Sequence, residues 1–175
     1  MQKNYNSKEN KEYIEKVIQI DRISRTVKGG RRIRFRALVV IGNMTGKVGM
    51  GIAKAQEVVI AISKAVNNAK KNIISVPIVN DSIPHEIKVK SGGAIIYLKP
   101  APKGTSIVAG GSVRAVLELA GIRNVVGKIL GSNNKINNVN ATFKALTSFK
   151  LDKRKNLNSA NSEKTLIKEE KINKP

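Results

Sequence analysis

Residues 32–41 constrain this chain more than any other stretch. There Ile33, Phe35, Ala37, Val39 and Ile41 alternate with Arg32, Arg34, Arg36 and Leu38. A period of two puts the first set on one face of a β-strand and the second set on the other. One face is apolar throughout, while the opposite face is cationic over its first half. The chain must therefore build a sheet that covers the apolar face and presents arginines to solvent or to a ligand.

The flanking residues supply the rest of that sheet. Residues 17–27 read as an irregular strand that ends at the turn signal Lys28-Gly29-Gly30. After the turn residues 42–46, Lys47 to Ala53 continues as a third strand, in which Gly49 and Gly51 lack side chains. From about Gln56 to Lys71, Val58, Ile62, Ala65, Val66 and Ala69 recur at helical spacing, which predicts an amphipathic helix over the sheet. A short helix is expected in front, around Glu12 to Lys16. The result is a small α-β-β-β-α unit of the α+β class.

The pattern resets after Asn72. Ile73 to Val79 is a short apolar run containing Pro77, and Asn80-Asp81-Ser82 and Pro84 follow, so the domain boundary is placed between 73 and 83. Strands are predicted at His85 to Lys90 and Ala94 to Lys99, joined by Ser91-Gly92-Gly93. A loop punctuated by Pro100, Pro102, Gly104, Gly110 and Gly111 leads to Ser112, read as the N-cap of a helix that Gly121 stops. A strand at Val125 to Leu130 and a last helix carrying Val139, Phe143, Leu146 and Phe149 complete a β-β-α-β-α order. The expected organisation is two small domains, 12–75 and 83–150, between a flexible N-terminus (1–11) and a mostly disordered tail (151–175).

Charge indicates the kind of partner. In 175 residues Lys+Arg total 33 against 12 Asp+Glu, a net charge of +21. Between Asp21 and Glu57 no acid occurs, yet Arg22, Arg25, Lys28, Arg31, Arg32, Arg34, Arg36, Lys47 and Lys54 do. Such a stretch repels itself unless an anion compensates, so a polyanion is the natural partner. A membrane partner is not expected, because these cations fall on strands and not on an amphipathic helix with bulky anchors. No signal-peptide pattern opens the chain and no apolar run approaches ~20 residues, so a cytoplasmic protein is expected. The aromatics are few (Tyr5, Tyr13, Tyr97, Phe35, Phe143 and Phe149), too few for a platform that stacks successive bases. Recognition through phosphate and shape remains, as for folded or double-stranded RNA.

Enzyme chemistry finds little support. There is no cysteine and one histidine, His85, so neither a metal site nor a catalytic nucleophile is expected. Gly104 to Ser112, leading into a helix, could cradle a nucleotide phosphate. Phosphoryl transfer also needs carboxylates for magnesium and a base, and Glu118 is the only acid between 87 and 151. No cofactor is expected. A free RNA chaperone is compatible with the same residues.

Two ordered constellations carry a family resemblance. The first runs Ser24-Arg25-Thr26-Val27-Lys28-Gly29-Gly30-Arg31, then Phe35, Ala37, Gly42-Asn43 and Gly46-Lys47-Val48-Gly49-Met50-Gly51. The second is Lys99-Pro100-Ala101-Pro102-Lys103-Gly104-Thr105, followed by residues 109–121 from Ala109-Gly110-Gly111 to Ala120-Gly121. Together with Gly131-Ser132-Asn133-Asn134 and Ala141-Thr142, this set resembles the bacterial small-subunit ribosomal protein S five family over roughly residues 12 to 150. Val59 and Lys135 depart from it, standing where that family commonly has proline.

The resemblance implies a double-stranded-RNA-binding-like N-terminal domain and a C-terminal domain of the fold named after that family. It further implies binding to 16S ribosomal RNA, contact with ribosomal proteins S four and S eight, and a part in subunit assembly and decoding accuracy. Arg22, Ser24, Arg25, Lys28, Gly29, Gly30, Arg31, Arg32, Arg34, Arg36, Lys47 and Lys54 become the candidate RNA contacts. Carried over, Ser24, Lys28 and Gly29 lie near the spectinomycin region. Gly110, Gly111 and Arg114 become the candidate protein interface.

Overall fold

The computed structural model describes residues 13–149; the N-terminal segment and the tail expected to be disordered lie outside them. The chain runs β1 (Ile14–Val27), β2 (Gly30–Gly42), β3 (Lys47–Ala55), α1 (Val58–Lys71) and β4 (Ile73–Ser75). It continues through β5 (Ile87–Ser91), β6 (Ala94–Pro100), β7 (Ile107–Val108), α2 (Gly111–Ala120), β8 (Val125–Ile129) and α3 (Lys135–Ser148). Two four-stranded sheets result, ordered β1-β2-β3-β4 and β5-β6-β8-β7. The first is antiparallel throughout, and the second has one parallel pair, β7 with β8.

Several expectations are corrected at element ends. Ile14 to Lys16, expected in a short helix, instead pair with Gly42 to Val40 at the start of β1. A one-turn helix is costly to nucleate, whereas β2 offers those backbone groups ready partners. The irregularity of β1 is a bulge between Val17 and Gln19. The extra residue, Ile18, packs against the core, and the bulge shifts the alternation of β1 by one residue relative to β2. Ile73–Ser75 pairs with β3, so the first sheet has four strands and not three. The N-cap of α2 is Gly110, with no side-chain cap bond, and Ser112 lies buried inside the helix. Gly121 does end α2 in the left-handed region at φ 89°. Val59 and Lys135 fall in the first turns of α1 and α3, where proline and other residues are alike tolerated.

The first sheet buries both faces over its inner half. On one face Ala37, Val39 and Ile41 meet Ala61, Ala65 and Ala69 of α1, small side chains that let the helix lie close to the sheet. On the other, Leu38, Val40 and Val48 join the core that contains Val116, Leu119 and Ala120 of α2 and Ile96, Leu98 and Leu146 beyond it. Leu38, which the alternation placed on the cationic face, marks where that face turns inward.

Helix α2 connects the two lobes. Its last carbonyls need partners outside the helix. Glu118 and Leu117 accept from the Gly121 and Ile122 amides, while Leu119 and Ala120 accept from Met44 N (3.0 Å) and Gly46 N (2.9 Å) in the β2–β3 turn. The turn of one lobe thus caps the helix of the other.

Candidate nucleic-acid interface

The cationic residues lie on a ribbon that outruns its sheet. β2 pairs with β1 along its whole length, from Ile14 opposite Gly42 to Val27 opposite Gly30, but β3 reaches only to Ala55 opposite Phe35. Residues 23–34 therefore project as a two-stranded hairpin, about 17 Å at the usual rise per residue. Lys28 and Gly29 form its tip. Gly29 has no atom within 4 Å of where a Cβ would stand, and Gly30 has φ 149°, a conformation that suits glycine.

Register sorts the cations by face. Arg25 stands directly opposite Arg32, next to Arg34 opposite Ile23, with Arg36 and Lys54 at the base of the same face. Arg22 opposite Phe35, Ser24 opposite Ile33, and Arg31 opposite Thr26 occupy the other face. All of these except Arg36 are exposed. Like charges directly opposite one another on a sheet destabilise it, so the Arg25–Arg32 pair is costly until an anion lies across it.

Two candidates stand apart from the rest. Arg36 is half-buried and donates to Asp21 Oδ2 from Nη2 at 2.7 Å and from Nε at 3.1 Å. That guanidinium, helped by Gln19, holds the Asp21 carboxyl below the usual carboxylate range. The carboxylate nearest Arg36 across the ribbon's base is thereby committed. Lys47 opens β3 beside Ser75, seven residues from Lys54 and about 23 Å away along the strand, so it does not join the ribbon.

The second candidate group is also divided. Arg114 is exposed on α2 and lines an open cleft of about 490 Å³ with Met44, Ser106, Glu118 and Arg123. Gly111 faces a different cleft, beside Lys16 and Lys135. Gly110 packs against the Ile129 side chain, whose Cδ1 lies 2.8 Å from where a Cβ would stand. Asn124, which the sequence reading did not single out, organises the loop between β6 and β7. Its buried Oδ1 accepts from Gly104 N (3.0 Å) and Ser106 N (3.3 Å), and its carbonyl accepts from Ser82 Oγ (2.6 Å). A lone asparagine before a strand carries no pattern that would have revealed this.

Among the described residues, no group of three His, Cys, Asp or Glu could hold a metal ion, and no helix is long and apolar enough to cross a membrane. His85 is exposed, its ring edge-on to Phe149 at 5.2 Å. A two-lobed α+β body from which a cationic ribbon projects has the character of a protein that binds a polyanion.

Comparison with known proteins places it further. Residues 13–77 match the N-terminal domain of ribosomal protein S5, and residues 89–156 match its C-terminal domain. The chain is 49% identical over 148 residues to the small ribosomal subunit protein uS5 of Trichormus variabilis and, equally, to that of a Nostoc species. Those alignments cover 84% of this chain and 85% of each relative. The chain belongs to the ribosomal protein S5 family.

Proposed function

We propose that this protein is a structural constituent of the small ribosomal subunit in the cytoplasm, and that its β1–β2 ribbon binds 16S ribosomal RNA by inserting between two segments of it. The observation that carries this reading is the distribution of cations over both faces and the tip of a hairpin standing clear of its sheet. A ribbon lying on one RNA surface would need cations on one face only. Arg25, Arg32 and Arg34 neutralise phosphates on one side, Arg22 and Arg31 on the other, and Lys28 with the Gly29 and Gly30 amides at the tip. An isolated two-stranded ribbon is marginal in water, so RNA binding also orders it.

The shared core gives the ribbon a rigid base, so RNA segments bound to it and to the rest of the body are held in one arrangement. The cleft at Arg114, with Glu118 and Arg123, suits a protein surface of mixed charge; the family resemblance makes ribosomal protein S four the candidate there and S eight a second partner. Support of assembly and decoding accuracy follows from that positioning.

Sedimentation of a tagged copy through a sucrose gradient at moderate salt tests the reading. Comigration with small subunits is expected, together with loss of comigration when Arg25, Arg31 and Arg32 are all replaced by glutamine. A tagged protein that stayed at the top of the gradient would favour a free RNA chaperone.

A further inference from the structure

β1 is the outer strand of the first sheet. Among the described strands it pairs with β2 alone, so one of its two edges carries main-chain groups with no strand beside them. Ile14, Val17 and Ile20 along it are 50%, 41% and 44% exposed. From Ile14 to Ile23 the strand reads Ile-Glu-Lys-Val-Ile, then Gln-Ile-Asp-Arg-Ile. Laid antiparallel against a second copy about a point between Ile18 and Gln19, it sets Ile14 opposite Ile23, Glu15 opposite Arg22, Lys16 opposite Asp21 and Val17 opposite Ile20. Apolar meets apolar, and each charge meets its opposite.

The bulge decides whether those partners can touch. Directly opposed residues share a face of the sheet, whereas residues an odd number apart on a regular strand lie on opposite faces. Glu15 and Arg22 are an odd number apart, and so are Val17 and Ile20. The shift between Val17 and Gln19 corrects this: Glu15, Val17, Ile20 and Arg22 all stand on the face of Ile41, Val39, Ala37 and Phe35, while Lys16 and Asp21 stand on the other with Val40 and Arg36. Slipping by two residues keeps the faces but opposes Glu15 to Ile20 or to Ser24 and removes every charge pair, so one register is specified.

We propose that this edge of β1 is a self-association surface, through which two copies of the chain join antiparallel over residues 14–23 into one continuous eight-stranded sheet. The partner is a second copy because the strand is complementary to itself, as a two-fold contact requires. Main-chain hydrogen bonds supply the attraction and the side-chain pairs fix the register. Lys16 and Asp21 keep Glu118 and Arg36 as partners within their own chain, each at 2.7 Å, and no like charge is brought face to face. A bulge normally turns an edge away from other strands, but about this axis one copy's bulge lies across from the other's. Two bodies of net charge +21 repel, and salt screens that long-range repulsion more than it screens the close Glu15–Arg22 pairs. Dimerisation is therefore weak at low salt and tightens as salt rises, the opposite of phosphate binding. The pairing covers, in the free protein, an edge that otherwise templates open-ended association. It holds whether or not the ribbon binds RNA.

Sedimentation equilibrium of the RNA-free, full-length protein supplies the test, over a salt range of about 0.1 to 0.5 M. A monomer–dimer equilibrium that shifts toward dimer with salt is expected. Glu15→Arg sets arginines face to face and Arg22→Glu sets glutamates face to face, each twice about the axis, so each should weaken dimerisation about tenfold. Glu15→Arg/Arg22→Glu restores opposite charges and should regain the dimer. A mixture of the two single variants should form a heterodimer tighter than either variant forms alone. Protein that stays monomeric at every salt and protein concentration overturns the proposal and leaves the edge to a strand of another protein. Association that weakens with salt, or that the single variants leave unchanged, places the contact elsewhere and overturns it too. Loss in the single variants with no recovery in the double variant or the mixture would show that Glu15 and Arg22 act only within their own chain.

Discussion

Arg32→Glu separates what the ribbon costs the free protein from what it contributes in the complex. In the free fold Arg32 faces Arg25 directly, and the replacement turns a like-charged cross-strand pair into an opposite one. Such pairs change sheet stability by about 0.2–1 kcal/mol, here in the favourable direction. In a fold of this size that corresponds to a rise in Tm of up to roughly 4 °C. In the complex the same change removes a charge-assisted bond to phosphate, about 1.5–3 kcal/mol, and the new carboxylate adds repulsion. RNA affinity should therefore fall by roughly 10- to 150-fold or more, and the salt slope by about 1. Calorimetry of the free protein and filter binding to a 16S transcript at several salt concentrations read the two effects separately. A clear fall in Tm would show that Arg32 holds the fold together, and wild-type RNA affinity with an unchanged slope would show that the ribbon is not the contact. Either result refutes the reasoning.

Three further outcomes test the fold. Leu38→Ala, in the core shared by both lobes, should cost about 2–5 kcal/mol and lower one common thermal transition; two separate transitions in calorimetry would contradict a single core. Gly51→Ala would set a Cβ against the Ala65 carbonyl and 2.6 Å from Ala69 N, forcing α1 off the sheet, so a loss of about 1–3 kcal/mol or more is expected in denaturant unfolding. Asp21→Asn should cost up to ~1 kcal/mol at neutral pH through the half-buried Arg36 pair. Because folding lowers the Asp21 pKa, that stabilisation is present above the ordinary carboxylate value near 3.9 and is lost as pH falls through the folded value. The Tm gap between wild type and Asp21→Asn should accordingly stay constant from about pH 7 to 5 and close in more acid solution.

Local pattern made much of this protein legible. Alternation identified β2, Lys28-Gly29-Gly30 identified the hairpin turn, apolar spacing identified α1 and α3, and Gly121 marked the end of α2. The misses fall where a non-local partner decides. Ile14 to Lys16 join a strand because β2 is beside them, and Ile73–Ser75 becomes a strand because the edge of β3 is open to it. The two-residue β7 exists only through its pairing with β8. Ser112 would cap an isolated helix well, but here it is buried and α2 begins two residues earlier.

The sequence by itself determined the fold class, the order of the main elements and a phosphate-binding character, because each of these follows from the period of apolar residues or the sum of charges along a short stretch. Which cations act together was decided only by the tertiary structure. Arg25 and Arg32 are brought face to face by strand register, Arg36 is taken up by Asp21, and Lys47 is carried to the far end of β3. Pairing, register and the packing of one lobe on another depend on contacts between residues distant along the chain, and those contacts leave no periodic trace in it.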